Sequence, residues 1–173
     1  LKESELVLEE GRPLRSLRVA KVRVHRSADD QRYLVEVKQR LPGGRERLRG
    51  TPLSEKLKSD EDQFEAAERG IYEELEGRPC KLVGSRHESI EIKPTLTYPG
   101  LNCRYYFYEV DAIVEGLPDT ESFETVEITG PEDGTTGSEA KRIVHCWEWR
   151  RPLVQADADL ALTAVQTRLL ERL

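Results

Sequence analysis

The chain has 173 residues, of which 37% are hydrophobic and 35% are charged, and its formal net charge is −6. These values fit one globular domain with a buried core and exclude collagen-like and low-complexity chains. No apolar run approaches the roughly 18 to 20 residues that span a bilayer, and no apolar N-terminal leader is present, so we expect a soluble protein with no membrane partner.

The cysteines indicate the compartment. Cys80, Cys103 and Cys146 are an odd number, with no CxxC pair and no histidine at metal-ligand spacing, so they predict neither a disulfide framework nor a structural zinc site. We therefore expect an intracellular, reducing compartment, either the cytoplasm or an organelle of that kind. The chain contains no Met, which suggests a domain excised from a longer protein.

The charge is unevenly distributed along the chain. Residues 55–76 contain nine acids and three bases, and residues 109–139 contain ten acids and no base, so the remainder carries +10. This partition fits a protein that binds cations with one surface and anions with another, although solvated faces sort charge in the same way.

The first half of the chain predicts strands and then a helix. Residues 1–16 have no clean period and are interpreted as a tether or edge segment before a single domain over residues 17–173. Residues 17–25 and 33–38 alternate as two half-buried strands, which we expect to pair as a hairpin. Residues 60–76 carry an apolar stripe at helical spacing, formed by Phe64, Ala67, Ile71 and Leu75.

The second half predicts further strands and a closing helix. Strand-like runs cover residues 80–85, 89–93, 104–114, 125–128 and 142–149, and an amphipathic helix is expected at about 157–173. A hairpin, a helix, several strands and a helix predict a mixed sheet covered by helices on both sides. The fold class is α/β or α+β, and the pattern alone leaves both open.

The chemistry-bearing segment is the acidic helix over residues 60–77. Glu73 lies four residues after Arg69, close enough for an ion pair, and Glu73 and Glu74 are adjacent carboxylates that a hard cation such as Mg²⁺ would compensate. A solvated helix face with an Arg69–Glu73 pair is the alternative interpretation of the same residues.

This segment resembles the signature of the Nudix (MutT-like) family, which is a Gly, five residues, a Glu, seven residues, and then Arg-Glu-aliphatic-x-Glu-Glu-x-Gly. Arg69 and Glu61 stand at the required spacing, and Glu73 and Glu74 take the place of the paired glutamates. The motif covers about 22 residues, and the surrounding elements fit the family's α/β/α sandwich, with a mixed sheet between helices.

Three positions depart from the signature. Gly70 stands where the family has a Glu, Glu55 stands where it has its first Gly, and its last Gly is displaced by one residue to Gly77. In the family, the helix carboxylates hold Mg²⁺ ions that bridge a diphosphate for attack by water. Loss of the first of these carboxylates predicts a degenerate site in which hydrolysis is weak or lost.

The resemblance implies roles for individual residues. Glu73 and Glu74 are implied as Mg²⁺ or Mn²⁺ ligands, Arg69 as the group that orients Glu73, and Glu61 as the group that holds the loop at the helix start. An additional metal ligand from the late acidic stretch is expected, and we select Glu121 and Glu124. The other candidates are Asp119, Glu127, Glu132 and Asp133.

The basic residues and histidines are less specific. Arg26, Arg45, Arg47 and Arg49 are candidate phosphate contacts, since Arg binds phosphate oxygens bidentately. Binding to long nucleic acid is not expected from an acidic chain without a recognition motif. His145 is interpreted as a strand residue whose ring lies beside Trp147 and Trp149.

Two functions are open from the sequence. One is a Nudix-like domain with a degenerate box, which binds a nucleotide or a protein partner with hydrolysis weak or lost. The other is an active Mg²⁺- or Mn²⁺-dependent hydrolase of a nucleoside diphosphate linked to another moiety. Gly70 favours the first, because it removes a carboxylate that the chemistry needs while the residues that specify the fold remain.

Overall fold

The computed structural model describes residues 3–95, 98–130 and 141–152, and the described residues form a mixed α/β structure of nine strands, one α-helix and a short 3₁₀ turn. The strands are β1 (Glu5–Glu9), β2 (Arg12–His25), β3 (Tyr33–Arg40), β4 (Glu46–Thr51), β5 (Leu53–Lys56), β6 (Lys81–Pro94), β7 (Asn102–Ile113), β8 (Ser122–Thr129) and β9 (Lys141–Arg150). The helix α1 covers Gln63–Glu74, and the 3₁₀ turn covers Pro42–Gly44. None of the described helices could span a membrane.

The first sheet has five strands around a parallel pair. Its order is β1-β2-β7-β6, and β5 also pairs with β2. The long strands β2 and β7 run parallel, while the other pairings are antiparallel. Val22 and Val24 of β2 lie beside Val110 and Ala112 of β7, and all four side chains are buried, because alternate residues of neighbouring strands share one face.

The second sheet has the order β4-β3-β9-β8 and is antiparallel throughout. The expected hairpin between residues 17–25 and 33–38 is therefore wrong: the first strand belongs to one sheet and the second to the other. The turn at residues 27–30 redirects the chain between sheets, and each strand finds its partners far along the sequence. The alternation of residues 17–25 matches the burial of Ala20, Val22 and Val24, but alternation does not specify a partner.

Helix α1 begins at a capping box and ends near two residues with positive φ. The Asp62 side chain accepts hydrogen bonds from the backbone N–H groups of Phe64 and Glu65, and the Glu65 side chain accepts one from the Asp62 N–H. After the helix, Glu76 and Gly77 have φ of 60° and 72°, and the Gly77 N–H donates to the Tyr72 carbonyl at 2.8 Å. The predicted helix at residues 60–76 is confirmed, with narrower bounds.

The core lies between the two sheets and α1. The helix packs against β5 and β2 of the first sheet and against β8 of the second. Ala67, Ile71 and Leu75 of the predicted stripe are fully buried, and Trp147 joins them from β9. Full burial of a side chain the size of Ile or Leu contributes roughly 1.5 to 3 kcal/mol, so this contact fixes where the helix lies on both sheets.

Other expectations differ in detail. Residues 80–85 and 89–93 form one strand, β6, because its two β-bulges interrupt the alternation without ending the pairing. The predicted N-terminal tether contains the edge strand β1 and the start of β2, while the short strands β4 and β5 were not expected. The helix expected at about 157–173, and the candidates Glu132 and Asp133, lie outside the described residues.

Candidate functional site

Arg69 organises the acidic loop before α1. Its guanidinium donates to both carboxylate oxygens of Glu61 at 2.8 Å, to Glu55 Oε1 at 2.7 Å and to the Lys56 carbonyl at 3.0 Å. The Lys58 N–H donates to Glu61 at 2.9 Å. We call Glu55, Glu61 and Arg69 the Arg69 centre. Its geometry ties the loop of residues 57–61 to the middle of the helix.

Charge in the Arg69 centre is closely matched. The hydrogen bonds from Arg69 lower the pKa of Glu61 to about 2, and both glutamates raise the pKa of Arg69. Burial raises the pKa of Glu55 against the opposing effect of the same guanidinium. Arg69 reaches Glu73 only at 3.5 Å, so its main partners are Glu55 and Glu61.

The paired glutamates of the helix diverge. The Glu73 side chain is 42% exposed, whereas the Glu74 side chain is 12% exposed and points toward the second sheet. Thr125 of β8 donates its hydroxyl hydrogen bond to the Glu74 carbonyl at 2.6 Å and accepts one from the Trp147 indole at 2.8 Å. This link fixes the end of the helix over the inner face of β8 and β9.

Beneath that end lies a buried histidine. His145 Nδ1 is 2.7 Å from Glu36 Oε1 and 3.5 Å from Glu74 Oε2, while His145 Nε2 is 3.1 Å from Glu127 Oε2. We call Glu36, Glu74, Glu127 and His145 the His145 centre. Its four members come from β3, α1, β8 and β9. Among the described residues, Glu36, Glu74 and His145 place one possible ligand atom each within 4.8 Å of the others.

In the His145 centre, Glu74 is the group whose ionised form is least stabilised by its neighbours. Burial opposes the protonation of His145, but its hydrogen bonds to Glu127 and Glu36 outweigh burial and raise its pKa to about 9. Burial likewise opposes ionisation of Glu36, yet the bonds from His145 and Arg49 lower its pKa. Glu74 has no such bond: burial first, and then the nearby glutamates, raise its pKa to about 8.

One oxygen of Glu74 is left without a hydrogen bond. Glu74 Oε2 is buried and accepts none within the part of the chain that the structure describes. A buried carboxylate oxygen without a donor is costly unless it is protonated or binds a cation. The residues present therefore fit a divalent cation, with an imidazole nitrogen and carboxylate oxygens as donors.

A pocket of about 690 Å³ adjoins both centres. Its lining includes Glu55 and Arg69 from the Arg69 centre, Glu127 from the His145 centre, and Glu73 and Tyr72 from α1. Glu127 thus lines the pocket and also bonds the buried histidine. The arrangement offers a cation-attracting surface that is large enough for a small-molecule ligand.

Two of the four candidate arginines lie beside the His145 centre. Arg49 donates to Glu36 Oε2 at 2.8 Å, and Arg47 donates to Gln39, whose amide is 3.5 Å from His145 Nδ1. Both arginines are therefore occupied in the second sheet. Arg26 pairs with Asp119 at 2.7 Å and with Asp30, and Arg45 is exposed after the 3₁₀ turn. None of the four candidate arginines is among the described residues that line the pocket.

The selected distal acids lie elsewhere. Glu124 bonds Arg40 on the outer face of the second sheet, and Glu121 is exposed just before β8. Glu127, a residue of the same acidic stretch, is the one that reaches His145. Strand alternation carries this information: Thr125 and Glu127 share one face of β8, and Glu124 belongs to the other.

Sequence reasoning missed Glu36 and underestimated His145. His145 does stack on Trp147, with ring centroids 5.7 Å apart, as expected for a strand residue. Glu36 was expected on the polar face of its strand, yet it is 1% exposed, because β3 is an inner strand with α1 over the sheet. The two residues are 109 positions apart, and no spacing rule links them.

Gly70 packs closely against two residues of β5. A Cβ atom at this position would lie 3.0 Å from Leu53 Cδ2 and 3.2 Å from Glu55 Cβ. Glu55 therefore occupies the space beside Gly70, and its carboxylate lines the same pocket as Glu73. Gly70 in the helix and Glu55 in β5 are therefore sterically coupled: the small residue leaves space for the larger one.

Comparison with known proteins adds no relative: the sequence matches no family model and no curated protein.

Proposed function

We propose that this chain is a Nudix-like domain with a degenerate signature, and that it binds a nucleoside diphosphate derivative through a divalent cation, with hydrolysis weak or lost. The observation that carries the proposal is the pocket of about 690 Å³ that the carboxylates of Glu55, Glu73 and Glu127 share beside the signature helix. A ligand with two ionised phosphates needs cations to bind beside carboxylates, and this acidic surface would attract those cations.

Residues around the pocket would supply the two kinds of contact that such a ligand needs. Glu73 and Glu127 would hold Mg²⁺ or Mn²⁺, with Glu74 supporting from beneath, and the bound ion would neutralise phosphate charge. Lys58 lines the pocket and offers an ammonium group for phosphate oxygens. Tyr72, whose side chain also lines the pocket, offers an aromatic face for a base.

The packing at Gly70 is the reason for expecting weak hydrolysis. The resemblance implies a carboxylate at that position, and Leu53 and Glu55 would have to shift by a few tenths of an ångström to admit its Cβ atom. A site that lacks one ligand can still bind a metal–diphosphate complex while losing most of the stabilisation specific to the transition state.

The active hydrolase is the second candidate, and Glu55 favours it. Its carboxylate lines the pocket beside Gly70, and Glu55 and Glu73 are close enough to raise the pKa of Glu55 by repulsion. A carboxylate from β5 would then serve in place of the missing helix carboxylate.

One set of measurements distinguishes the two candidates. We would titrate the domain by calorimetry with nucleoside diphosphate sugars and dinucleoside polyphosphates, in Mg²⁺ and in Mn²⁺, and assay phosphate release in parallel. The first candidate predicts metal-dependent binding without turnover, while turnover that disappears in Glu73→Gln and in Glu55→Gln would support the second. Glu68→Gln, an exposed glutamate of the same helix, is the matched control.

The result that overturns both candidates is also defined. If no member of the panel binds in either metal, and Glu73→Gln behaves as Glu68→Gln does, the pocket is not a nucleotide site. A docking role for a protein partner would then be the remaining function of this domain.

A further inference from the structure

The His145 centre has a property that nucleotide binding does not use: its donor atoms converge on one side of an imidazole. Glu36 Oε1 and Glu74 Oε2 both face Nδ1 of His145, at 2.7 Å and 3.5 Å. Glu36 and His145 are each only 1% exposed. Three separate elements, β3, α1 and β9, therefore deliver one donor each to a single buried point.

The opposite side of the ring is held by a carboxylate. Glu127 Oε2 lies 3.1 Å from Nε2, and it is placed to accept the Nε2 hydrogen. Metal-binding histidines commonly donate their second ring N–H to a carboxylate, which fixes the tautomer and directs the free lone pair at the metal. In the same way, Arg49 bonds Glu36 Oε2 at 2.8 Å and leaves Glu36 Oε1 facing the ring.

A protonated histidine accounts for only part of this arrangement. An imidazolium would donate from Nδ1 to Glu36 and from Nε2 to Glu127, and both of its protons would then be used. The buried Oε2 atom of Glu74 would still have no donor among the described residues, so Glu74 would have to carry a proton as well. A cation between Glu36, Glu74 and Nδ1 accounts for all three groups.

We propose that Glu36, Glu74 and His145 form a buried site for a divalent first-row transition-metal ion, such as Mn²⁺, Fe²⁺ or Zn²⁺, and that Glu127 orients the imidazole. An imidazole donor beside two carboxylates suits these ions, whereas Mg²⁺ prefers oxygen ligands only. On binding, the metal takes the Nδ1 lone pair and a Glu74 oxygen, and the protons that His145 Nδ1 and Glu74 carried leave to solvent. The proposal shares Glu74 with the proposed function but does not require nucleotide binding.

The ion has a route to the site and a charge to balance. Glu127 both lines the 690 Å³ pocket and contacts the ring, so a cation can enter from the pocket past this side chain. The three ligands and Glu127 include three carboxylates, while Arg49 is the guanidinium bonded to this group. A divalent ion would take the place of the two protons, one on His145 and one on Glu74, that otherwise offset these carboxylates.

The test is metal binding without nucleotide. The domain is stripped with a chelator and titrated by calorimetry with Mn²⁺, Zn²⁺ and Mg²⁺, and Co²⁺ absorption reports whether a nitrogen ligand is present. We expect one transition-metal ion per chain, weaker binding of Mg²⁺, loss of binding in His145→Gln and in Glu74→Gln, and affinity lowered about 10- to 100-fold in Glu127→Gln.

Controls keep the test decisive. His25→Gln alters a partly buried histidine that bonds the Asp30 and Arg32 carbonyls, and it should leave metal affinity unchanged. If His145→Gln fails to fold, Glu74→Gln removes a ligand while it preserves side-chain size and leaves the histidine intact. Nitrogen NMR of the His145 ring then reports whether Nδ1 binds the added ion.

Two results overturn the proposal. One is a ring that keeps protons on both nitrogens when Zn²⁺ or Mn²⁺ is added, which would identify the centre as a salt-bridged imidazolium only. The other is metal binding that survives His145→Gln and Glu74→Gln. Transition-metal binding with no nucleotide binding would support this site and reject the proposed function, so the two failures are distinguishable.

Discussion

The two acidic centres at opposite ends of α1 use the same residue type in opposite ways. In the Arg69 centre, each glutamate bonds one guanidinium, and the pKa of Glu61 falls to about 2. In the His145 centre, Glu74 Oε2 accepts no hydrogen bond from the described residues, and the pKa of Glu74 rises to about 8. The first centre holds a loop, whereas the second keeps an unmet demand for positive charge, which is typical of a binding site.

The largest expected effect on stability comes from removing the guanidinium of the Arg69 centre. Arg69→Met leaves Glu55 and Glu61, both largely buried, without their guanidinium partner, and we expect a loss of about 3 kcal/mol in the free energy of unfolding. Thermal or urea unfolding measures it. Arg40→Met is the matched control, because Arg40 pairs with the half-exposed Glu124 and should cost less than about 1 kcal/mol. Equal losses in the two variants would show that the Arg69 centre is not structural.

The second effect concerns the position between the centres. Gly70→Ala gains about 1 kcal/mol of helix propensity, yet its Cβ would press on Leu53 and Glu55, and we expect a net loss of about 1 to 2 kcal/mol. A double-mutant cycle with Glu55→Gly measures the coupling. The cost of Gly70→Ala should shrink when Glu55 is Gly, since one of the two close contacts is then absent. An unchanged cost would assign the clash to Leu53 alone.

The pH dependence of stability separates the centres by sign. The pKa values of His145 and Glu74 are raised to about 9 and 8, so their protonated forms favour folding, and this contribution is lost as pH rises through those values. The pKa of Glu61 is lowered to about 2, so its contribution is lost as pH falls below its ordinary value of 4.5. We expect the metal-free domain to lose stability between pH 6.5 and 9.

Unfolding in a chelator-containing buffer series measures this profile. The alkaline loss should flatten in His145→Gln, since the titrating ring is gone, and the acid loss should be unaffected by that change. An alkaline limb that is as steep in His145→Gln as in the parent would remove His145 from this account.

The smallest expected effect is that two Glu→Gln substitutions, one in each centre, change the free energy of unfolding in opposite directions. Glu74→Gln removes an unmatched charge and should stabilise the metal-free domain by about 1 kcal/mol at pH 8. Glu61→Gln breaks a bidentate bond to Arg69 and should destabilise it. Chemical unfolding of both variants under one condition provides the comparison. Destabilisation by Glu74→Gln would indicate that Glu74 is compensated in the metal-free state.

Local patterns predicted what local physics decides. The helix was expected from the spacing of Ala67, Ile71 and Leu75. Arg69 was expected to pair with Glu73, whereas its nearest partners are Glu55 and Glu61. Strand partners and bulges were not predictable in this way, because pairing depends on contacts across long sequence separations, as β2 and β7 illustrate.

The His145 centre could not be predicted from the sequence for the same reason. Glu36, Glu127 and His145 come from three strands whose order, β3-β9-β8, no periodicity reveals. Once that order is known, alternation selects Glu127 over Glu124 and aims it at His145. Gly70 is a similar case: the sequence shows a poor helix residue, and only the neighbouring strand shows why the position needs it.

The sequence by itself determined the helix and most of the strand-forming segments, since these depend on neighbours within a few residues or a few turns. Only the tertiary structure decided that the two adjacent glutamates point in different directions, Glu73 toward the pocket and Glu74 toward the buried His145. The physical reason is burial: which carboxylates lose their water, and which cations remain within reach, is set by sheet packing rather than by spacing along the chain.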